Sequence, residues 1–368
     1  MQERQHAQLP RFYIASPSLV AGQGLSVPAD AAKHMRSLRL QEGSAVEVVN
    51  GRGSVAAASV SMLGKGHARV QARDLVSIYA TAPMLCEAMA SPCSWTLCCS
   101  CCHILPPLRG TLVPSLPLSA FKPMQVQVDA VQQQPWAGPR IVLAVAGATL
   151  KGNRSDWLIE KAVELGAFAF VPLLSQRSPE LAGAAAHLPQ RALACAPSSD
   201  ERAQAVAQHG LSALLQSAEA AQAADAAAAS GRAARWQRVA AAATEQSLRV
   251  HAIHLCDAAT TADVALLAQH GDAAVLVAAQ GGRPVIAAAQ ECLHPGEHTC
   301  VDTSSQGYDA AGTGPLVLAI GPEGDFTQQE LAMLTGAGTQ LVGLGEQRLR
   351  SETAAIAALS ATVLSLSK

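Results

Sequence analysis

The sequence predicts an α/β protein with two domains, a small β-rich module followed by a larger α/β domain. The chain has 368 residues, of which 49% are hydrophobic, and this is enough material for two cores. Early in the chain, an asparagine–glycine hairpin turn joins two runs of strand length. Near the C-terminal end, Gly314–Ala358 twice repeats a strand, a glycine-rich loop and a helix.

The β-rich module is predicted to cover residues 11–80. Ala45–Val49 and Ser54–Met62 flank the Asn50-Gly51 turn as two strands, and His67–Ala72 alternates as a third strand. His34–Leu40 precedes these strands and lies on a helix or at its end.

The charge of the chain is balanced overall but uneven along its length. The whole chain carries a net charge of −2, which is unlike a strongly basic nucleic-acid-binding protein. Residues 11–74 contain eight basic and four acidic side chains. Such a modestly basic module fits a shaped RNA, and it fits a chance distribution equally well.

Residues 81–139 differ in composition from the rest and predict a disordered insertion, or retained non-coding sequence. Cys98 and Cys101, like Cys99 and Cys102, have the spacing of a zinc-binding pair. A structural zinc site needs a second pair, and only Cys93 or His103 is near, so no metal site is expected. Frequent prolines interrupt the apolar runs before they reach the length of a membrane span.

The cysteines elsewhere are scattered, and Met1–Pro10 is polar with no apolar core. Both features favour a reducing compartment, either the cytoplasm or the matrix of a chloroplast or mitochondrion, over secretion.

The α/β domain is predicted to cover residues 140–366. It starts with a strand at Ile141–Ala146, and Ser155 caps the next helix, which Gly166 ends. Further strands are expected at Ala167–Leu174 and Asp272–Ala278. The alanine-rich residues 182–234 contain few large apolar side chains and predict a second insertion on the surface.

The C-terminal stretch predicts a ligand site. Leu316–Ile320 and Gln340–Leu344 are strands, and a glycine-rich loop follows each of them. Thr327 begins the intervening helix through a capping box with Glu330, and Ser351 caps the last helix. Open α/β sheets bind ligands at the carboxyl ends of their strands, although short glycine loops alone also fit an ordinary α/β unit.

Four blocks of sequence, in order, resemble the RsmE-like methyltransferases of the SPOUT superfamily. The blocks are Arg11-Phe12-Tyr13 with His34, Leu38-Arg39-Leu40, Gly43 and Asn50–Gly53; Lys151-Gly152 with Arg154, Glu160, Lys161, Glu164–Gly166, Pro172, Leu173, Arg177 and Ser178; Glu245–Arg249; and Ile320–Gly324 with Leu344, Gly345 and Leu349–Ala354. Three positions depart from the pattern: Asn153 replaces an acidic residue, Asp325 a glycine and Gln347 an arginine.

The resemblance implies a fold, a reaction and a set of partners. The fold would be an N-terminal PUA-like β-barrel and a C-terminal SPOUT domain with a trefoil knot at about 314–358. The reaction would be methylation of N3 of a specific uridine in small-subunit ribosomal RNA with S-adenosylmethionine, by a homodimer. Two other interpretations stay open: a related enzyme that methylates a ribose 2′-hydroxyl, and a non-catalytic RNA-binding or ribosome assembly protein.

The resemblance also assigns roles to residues. The predicted cofactor-binding residues are Leu318, Ile320, Gly321, Pro322, Glu323, Gly324, Leu344, Gly345, Leu349 and Ala354. The predicted RNA-binding residues are Arg36, Arg39, Arg52, Arg154 and Arg177, each of which also fits a solvated surface charge.

The candidate catalytic residues are Arg350, Glu352 and Arg249. Loss of the uridine N3 proton leaves negative charge on the neighbouring carbonyl oxygens, which a cation would stabilise. Arg350 is the first choice for this cation, with Arg154 and Arg249 as alternatives that would otherwise hold phosphates. Glu323 or Glu352 would act as a general base, or would hold backbone amides in a turn and a first helical turn. The second interpretation is favoured, because positioning can carry this reaction without a strong base.

Overall fold

The computed structural model describes residues 9–62, 124–147, 153–178, 199–215, 232–271, 273–293 and 314–366. Within these ranges, the first domain contains five strands and one helix: β1 (Arg11–Tyr13), β2 (Gly24–Ser26), α1 (Ala29–Ser37), β3 (Ala45–Val49), β4 (Ser54–Met62) and β5 (Gln125–Gln133). The sheet order is β1-β3-β4-β5-β2. The β1–β3 pair is parallel and the other pairs are antiparallel.

Alternating side chains build the core of the first domain. Val46 and Val48 of β3 and Val126 of β5 are fully buried, as is Met35 of α1. Asn50 shapes the predicted hairpin turn, since its Oδ1 accepts hydrogen bonds from the backbone N–H groups of Arg52 and Ser54 at 2.9 and 3.1 Å. The two strands and the turn predicted here are confirmed.

Strand β5 corrects the predicted insertion at 81–139. Residues 125–133 form the strand between β4 and β2, with Val60 opposite Val126 and Met62 opposite Gln125. The alternation Gln-Val-Gln-Val was a strand signal, but it follows a long segment of unusual composition that hid it. The predicted strand at His67–Ala72 and the cysteine cluster lie outside the described residues.

The second domain is a parallel sheet between two helical layers. Its strands are β6 (Ile141–Val145), β7 (Ala169–Leu174), β8 (His254–Leu255), β9 (Ala259–Thr260), β10 (Ala274–Pro284), β11 (Leu316–Ile320) and β12 (Gln340–Gly343). Its helices are α2 (Asn153–Glu164), α3 (Ser199–His209), α4 (Arg232–Gln246), α5 (Thr261–His270), α6 (Val285–Leu293), α7 (Gln328–Gly336) and α8 (Ser351–Leu366). The strand order is β12-β10-β11-β6-β7-β8, and β9 pairs with β7.

Both faces of this sheet are buried, which explains the continuous apolar runs. Ile141 and Leu143 of β6 face a core that includes α2, α4, α6 and α8. Val142 and Ala144 face the opposite core, to which α3, α5 and α7 contribute.

Helix α3 corrects the alanine-rich insertion at 182–234. Val206 is fully buried, and Leu211 and Leu214 just after the helix are nearly so. These three side chains belong to the core that α5 and α7 also form. Residues 182–198 and 216–231 lie outside the described part of the chain, as do Lys151, Gly152 and residues 295–312.

Several predicted boundaries shift, and two of them lie near the C-terminus: β12 ends at Gly343 rather than Leu344, and α8 begins at Ser351, which was predicted to cap it. Helix α2 begins at Asn153, so Ser155 lies inside its first turn rather than capping it. Strand β7 begins at Ala169 and β10 continues to Pro284. The strand Leu316–Ile320 and the Thr327 capping box are confirmed.

The strand order requires crossovers around β10. The chain leaves β10, returns as β11 on one side of it, and then forms β12 on its other side. This arrangement is compatible with the expected trefoil knot. The threading itself stays a prediction, because residues 294–313 between α6 and β11 lie outside the described ranges.

The two domains meet at the amino ends of the parallel strands. A Glu245 oxygen accepts a hydrogen bond from the backbone N–H of Tyr13 at 2.7 Å, and Arg11 donates to the carbonyl oxygen of Leu248. The backbone of Gly51 bonds that of Ala252 at 3.0 Å. Among the described residues, no helix is long and apolar enough to cross a membrane.

Candidate active site

A cavity of about 400 Å³ lies at the carboxyl ends of β10, β11 and β12. The middle of β10, the loops after β11 and β12 and the first turn of α8 enclose it. The junction with the first domain lies at the opposite edge of the same sheet, because all of these strands are parallel.

Nine of the ten predicted cofactor-binding residues line this cavity. They are Ile320, Gly321, Pro322, Glu323, Gly324, Leu344, Gly345, Leu349 and Ala354. Leu318 does not line it and is buried in the helical core, two residues before the end of β11. The lining also contains residues that the sequence did not indicate, among them Ala278, Ala279 and Gln280 at the edge of β10. These were missed because no local signal shows that β10 lies beside β11.

The first loop is a tight turn closed by Asp325. The backbone N–H of Asp325 donates to the carbonyl oxygen of Pro322 at 2.8 Å, and the Asp325 side chain accepts from the N–H of Phe326 at 2.7 Å. Asp325 has a φ of +64°, in the left-handed region that favours glycine. Aspartate tolerates this region better than most residues, so the replacement of glycine preserves the turn.

Two arginines hold the outer side of this loop. Arg348 donates to the carbonyl oxygen of Glu323, and Arg177 donates to that of Gly324. A Cβ atom at Gly324 would lie 3.1 Å from Cδ of Arg177, so the arginine stem packs closely against the backbone. Arg177, predicted to bind RNA, therefore contacts the predicted cofactor loop.

Glu330 joins this loop region to two neighbouring elements. Its carboxylate accepts from the N–H groups of Thr327 and Gln176, both at 2.9 Å, and from the hydroxyl of Thr261 at 3.3 Å. Burial alone would raise the pKa of Glu330. The hydrogen bonds outweigh burial and hold the pKa below its ordinary value. The capping box was predictable, whereas the contacts with Gln176 and Thr261 depend on the tertiary fold.

Two of the candidate catalytic residues lie at the start of α8, beside the cavity. Arg350 is exposed, and its carbonyl oxygen accepts from the N–H of Ala354 at 2.8 Å. Glu352 is buried, with Oε1 3.9 Å from Nε of Arg154, while Oε2 accepts a hydrogen bond from the hydroxyl of Ser351 at 3.4 Å. Neither Arg350 nor Glu352 lines the cavity itself.

Arg249 lies elsewhere, at the junction of the two domains. Its guanidinium lies 5.6 Å from the ring centre of Trp136, and a Cβ atom at Gly166 would meet it at 2.6 Å. Burial lowers the pKa of Arg249. The structure thus separates this arginine from the cavity and indicates a role in joining the domains.

The predicted RNA-binding arginines form two groups. Arg36, Arg39 and Arg52 are exposed on the first domain, and Arg39 has a φ of +56° where α1 ends. Arg154 and Arg177 lie at the cavity edge of the second domain, also exposed.

Comparisons with known proteins identify both domains. The family model described as an RNA methyltransferase domain matches residues 138–191 and 192–363, and the RNA methyltransferase PUA domain model matches residues 27–72.

The chain is 25% identical over 221 residues to ribosomal RNA small subunit methyltransferase E of Bacillus subtilis (strain 168). That match covers 60% of this chain and 65% of the relative, which is less than two thirds of its length. The protein of the same name from Mycobacterium tuberculosis is 52% identical over 52 residues, which cover 14% of this chain and 20% of the relative.

Solved structures show the fold. The Neisseria gonorrhoeae ribosomal RNA small subunit methyltransferase E bound to S-adenosylmethionine matches with a TM-score of 0.51 and 18% identity, over 96% of both chains. A Legionella pneumophila methyltransferase, described as putative and in complex with the same cofactor, matches with a TM-score of 0.52 and 16% identity, over 96% of this chain and 97% of the other. The predicted fold class, a PUA-like module followed by a SPOUT-type α/β domain, is confirmed.

Proposed function

This chain belongs to the RNA methyltransferase family, and we propose that it transfers a methyl group from S-adenosylmethionine to N3 of a uridine in small-subunit ribosomal RNA. The observation that carries the proposal is the cavity at the carboxyl edge, which both predicted glycine-rich loops enclose. The names of the relatives from Bacillus and Mycobacterium support small-subunit ribosomal RNA as the substrate.

The cavity has the properties that a nucleoside cofactor with an apolar body requires. Its volume lies within the range of ordinary small-molecule sites. Ile320, Leu344 and Leu349 offer apolar surface, and the turn at Pro322–Asp325 offers backbone groups. Gly345 has a φ of +111° and no atom within 4 Å of where a Cβ would stand, so its backbone is open to close approach.

The residues around the cavity would position the acceptor and stabilise its charge. The bound cofactor supplies an activated methyl group whose transfer needs no acid for the leaving group. Arg350, exposed beside the cavity, is the proposed cation for the negative charge that develops on the uracil carbonyl oxygens. Glu352 is buried beside Arg154 and Ser351, which favours a role in holding the start of α8 over that of a general base.

The first domain is proposed to hold the ribosomal RNA. Arg36, Arg39 and Arg52 are exposed cations suited to phosphate contacts.

A homodimer is also proposed. Its support in the structure is that Ile286 on α6 and Leu364 on α8, two helices that pack together, are 47% and 71% exposed. Sedimentation equilibrium measures the molar mass in solution, and a mass equal to that of one chain would contradict the dimer.

Mapping of methylated uridines tests the function. Small-subunit ribosomal RNA from cells with and without the gene is compared, and RNA from cells without it is treated with the purified protein and labelled S-adenosylmethionine. In RNA from cells without the gene, one uridine is expected to lack its N3 methyl group. After treatment with the protein, the same uridine is expected to carry it again. An unchanged uridine pattern, or label on a ribose hydroxyl, would contradict N3 methylation.

A further inference from the structure

A second cavity, of about 360 Å³, lies between the two domains. Tyr13 of β1 and Ala31 of α1 line it from the first domain. Ala240 and Ala241 of α4 and Ile253 line it from the second. The small alanine side chains of α4 leave the space open, so most of the wall is apolar.

One carboxylate in this wall has hydrogen-bonding capacity to spare. Oε1 of Glu245 accepts from the N–H of Tyr13 at 2.7 Å. Oε2 lies 3.9 Å from Nδ1 of His34, which is too far for a hydrogen bond. Because each carboxylate oxygen accepts two hydrogen bonds, Glu245 can receive a further donor from a molecule in the cavity. Its side chain is 20% exposed, so such a bond would be largely shielded from water.

The surroundings of this cavity suit a nucleic acid backbone. Arg238 of α4 lines it and is exposed, and Lys33 is exposed on the helix that supplies His34. Asp30, also in the lining, carries a negative charge that would repel a phosphate. A phosphate would meet Arg238 at the rim, while only an uncharged group suits the apolar interior.

We propose that this interdomain cavity takes an unstacked RNA base with an exocyclic amino group, as cytosine has, and that the amino group donates to Glu245. Single-stranded RNA is read by holding splayed bases against apolar side chains and bonding their edges, and glutamate accepts from N4 of cytosine. Uracil is disfavoured because its ring N–H lies between two carbonyl oxygens, which the carboxylate repels. The proposal rests on the RNA-binding part of the proposed function.

Binding of two matched RNA hexamers tests the proposal. Fluorescence anisotropy with labelled rC6 and rU6, at one fixed salt concentration and without cofactor, compares wild type with Glu245→Gln and Ala241→Leu. Wild type is expected to prefer rC6 by about tenfold, the effect of one hydrogen bond to a charged acceptor. Glu245→Gln keeps an acceptor for Tyr13 but presents an amide to the base, so the preference is expected to fall below about threefold. Ala241→Leu fills the cavity and is expected to remove the preference as well.

Ala332→Leu, at an exposed site on α7, is the matched control and is expected to keep the preference. Equal affinity of wild type for both hexamers overturns the proposal, as does a preference that survives both cavity variants in folded protein. Calorimetry with S-adenosylmethionine reads the first cavity separately. Failure of the proposed methyl transfer, seen as no cofactor binding, is therefore distinguishable from failure of this inference.

Discussion

Arg350 stands beside the proposed cofactor cavity but does not line it. This placement suits a contact with the acceptor base rather than with the cofactor. Arg350→Ala is therefore expected to lower the methylation rate about a hundredfold or more, the usual loss for one donor to a developing anion. Cofactor affinity is expected to change less than about threefold, because the side chain lies outside the cavity. Single-turnover methylation and calorimetry measure the two quantities, and an equal loss in both would contradict this role.

For Arg348 we expect the opposite result, in which a substitution lowers the affinity for the cofactor. It lines the cavity and holds the carbonyl oxygen of Glu323, so Arg348→Ala frees the loop that forms the cavity wall. The dissociation constant for S-adenosylmethionine is expected to rise about tenfold, the effect of one hydrogen bond from a charged group. Lys161→Ala, which removes a half-buried cation of α2 that pairs with Glu160 and Glu164 away from the cavity, is the control for a general loss of charge. A cofactor affinity equal to that of the control would show that Arg348 does not shape the site.

At the residue scale, local sequence predicted turns and loops well but could not assign partners. Asp325 adopts the left-handed conformation that its position in a glycine pattern required. Arg249 and Glu245, in contrast, are the two ends of one matched block that was predicted to be catalytic or phosphate-binding at Arg249, yet both serve the domain junction. No single-residue signal distinguishes an arginine that contacts a substrate from one that packs on tryptophan, because the difference lies in the tertiary contact.

Glu330 makes the start of α7 sensitive to acid. Its pKa is held below the ordinary value of 4.5 by the hydrogen bonds from Thr327, Gln176 and Thr261. A depressed pKa in the folded state means that the stabilisation is present above about pH 4.5 and is lost as the pH falls through the folded value. Urea unfolding between pH 6 and pH 3 is expected to show a steeper loss of stability for wild type than for Glu330→Gln, which cannot titrate. Parallel pH profiles would contradict this assignment.

Close backbone packing joins β10 to β12 beside the cavity. A Cβ atom at Gly282 would lie 2.5 Å from the carbonyl carbon of Val342, so Gly282→Ala forces the strands apart. The free energy of unfolding is expected to fall by about 1–3 kcal/mol, the usual cost of overpacking. Gly336→Ala is the matched control, because a Cβ there meets no atom within 4 Å and alanine favours the helix. Urea denaturation measures both, and equal stabilities would show that the strands yield without cost.

At the element scale, the sequence predicted strongly patterned elements and missed weakly patterned ones. Leu316–Ile320 is a compact apolar run bounded by glycine and proline, and its bounds match the structure. Strand β5 alternates buried and less buried side chains only over its first four residues, and helix α3 contains one large apolar residue, Val206. Both lie inside segments whose composition suggested insertions. Their place in the fold follows from pairing with β4 and packing against the second core, and sequence pattern alone does not encode either contact.

At the scale of the whole molecule, the sheet order places the domain junction and the proposed cofactor cavity at opposite edges of the second sheet. The sequence predicted both parts but not their arrangement in space. The domain junction lies at the amino edge of the parallel sheet and the larger cavity at its carboxyl edge. Residues 11–80 and 140–366 are therefore proposed as the RNA-binding and methyl-transfer domains, with residues 125–133 added to the first. The sequence predicted both domains, whereas the opposite placement of junction and cavity depends on the order β12-β10-β11-β6-β7-β8.

Residues 63–123 connect the ends of β4 and β5, which lie side by side in the first sheet. Met62 lies opposite Gln125 in an antiparallel pair, so the ends of the two strands are already adjacent. Replacement of residues 63–123 with an Asn-Gly turn is expected to keep the melting temperature within about 4 °C and to leave cofactor binding unchanged, because a short turn costs less closure entropy than a long loop. Replacement of residues 54–62 with a flexible linker, which removes β4 itself, is the control and is expected to unfold the first domain. Loss of the cooperative unfolding transition in the shortened chain would show instead that the removed segment contributes to the fold.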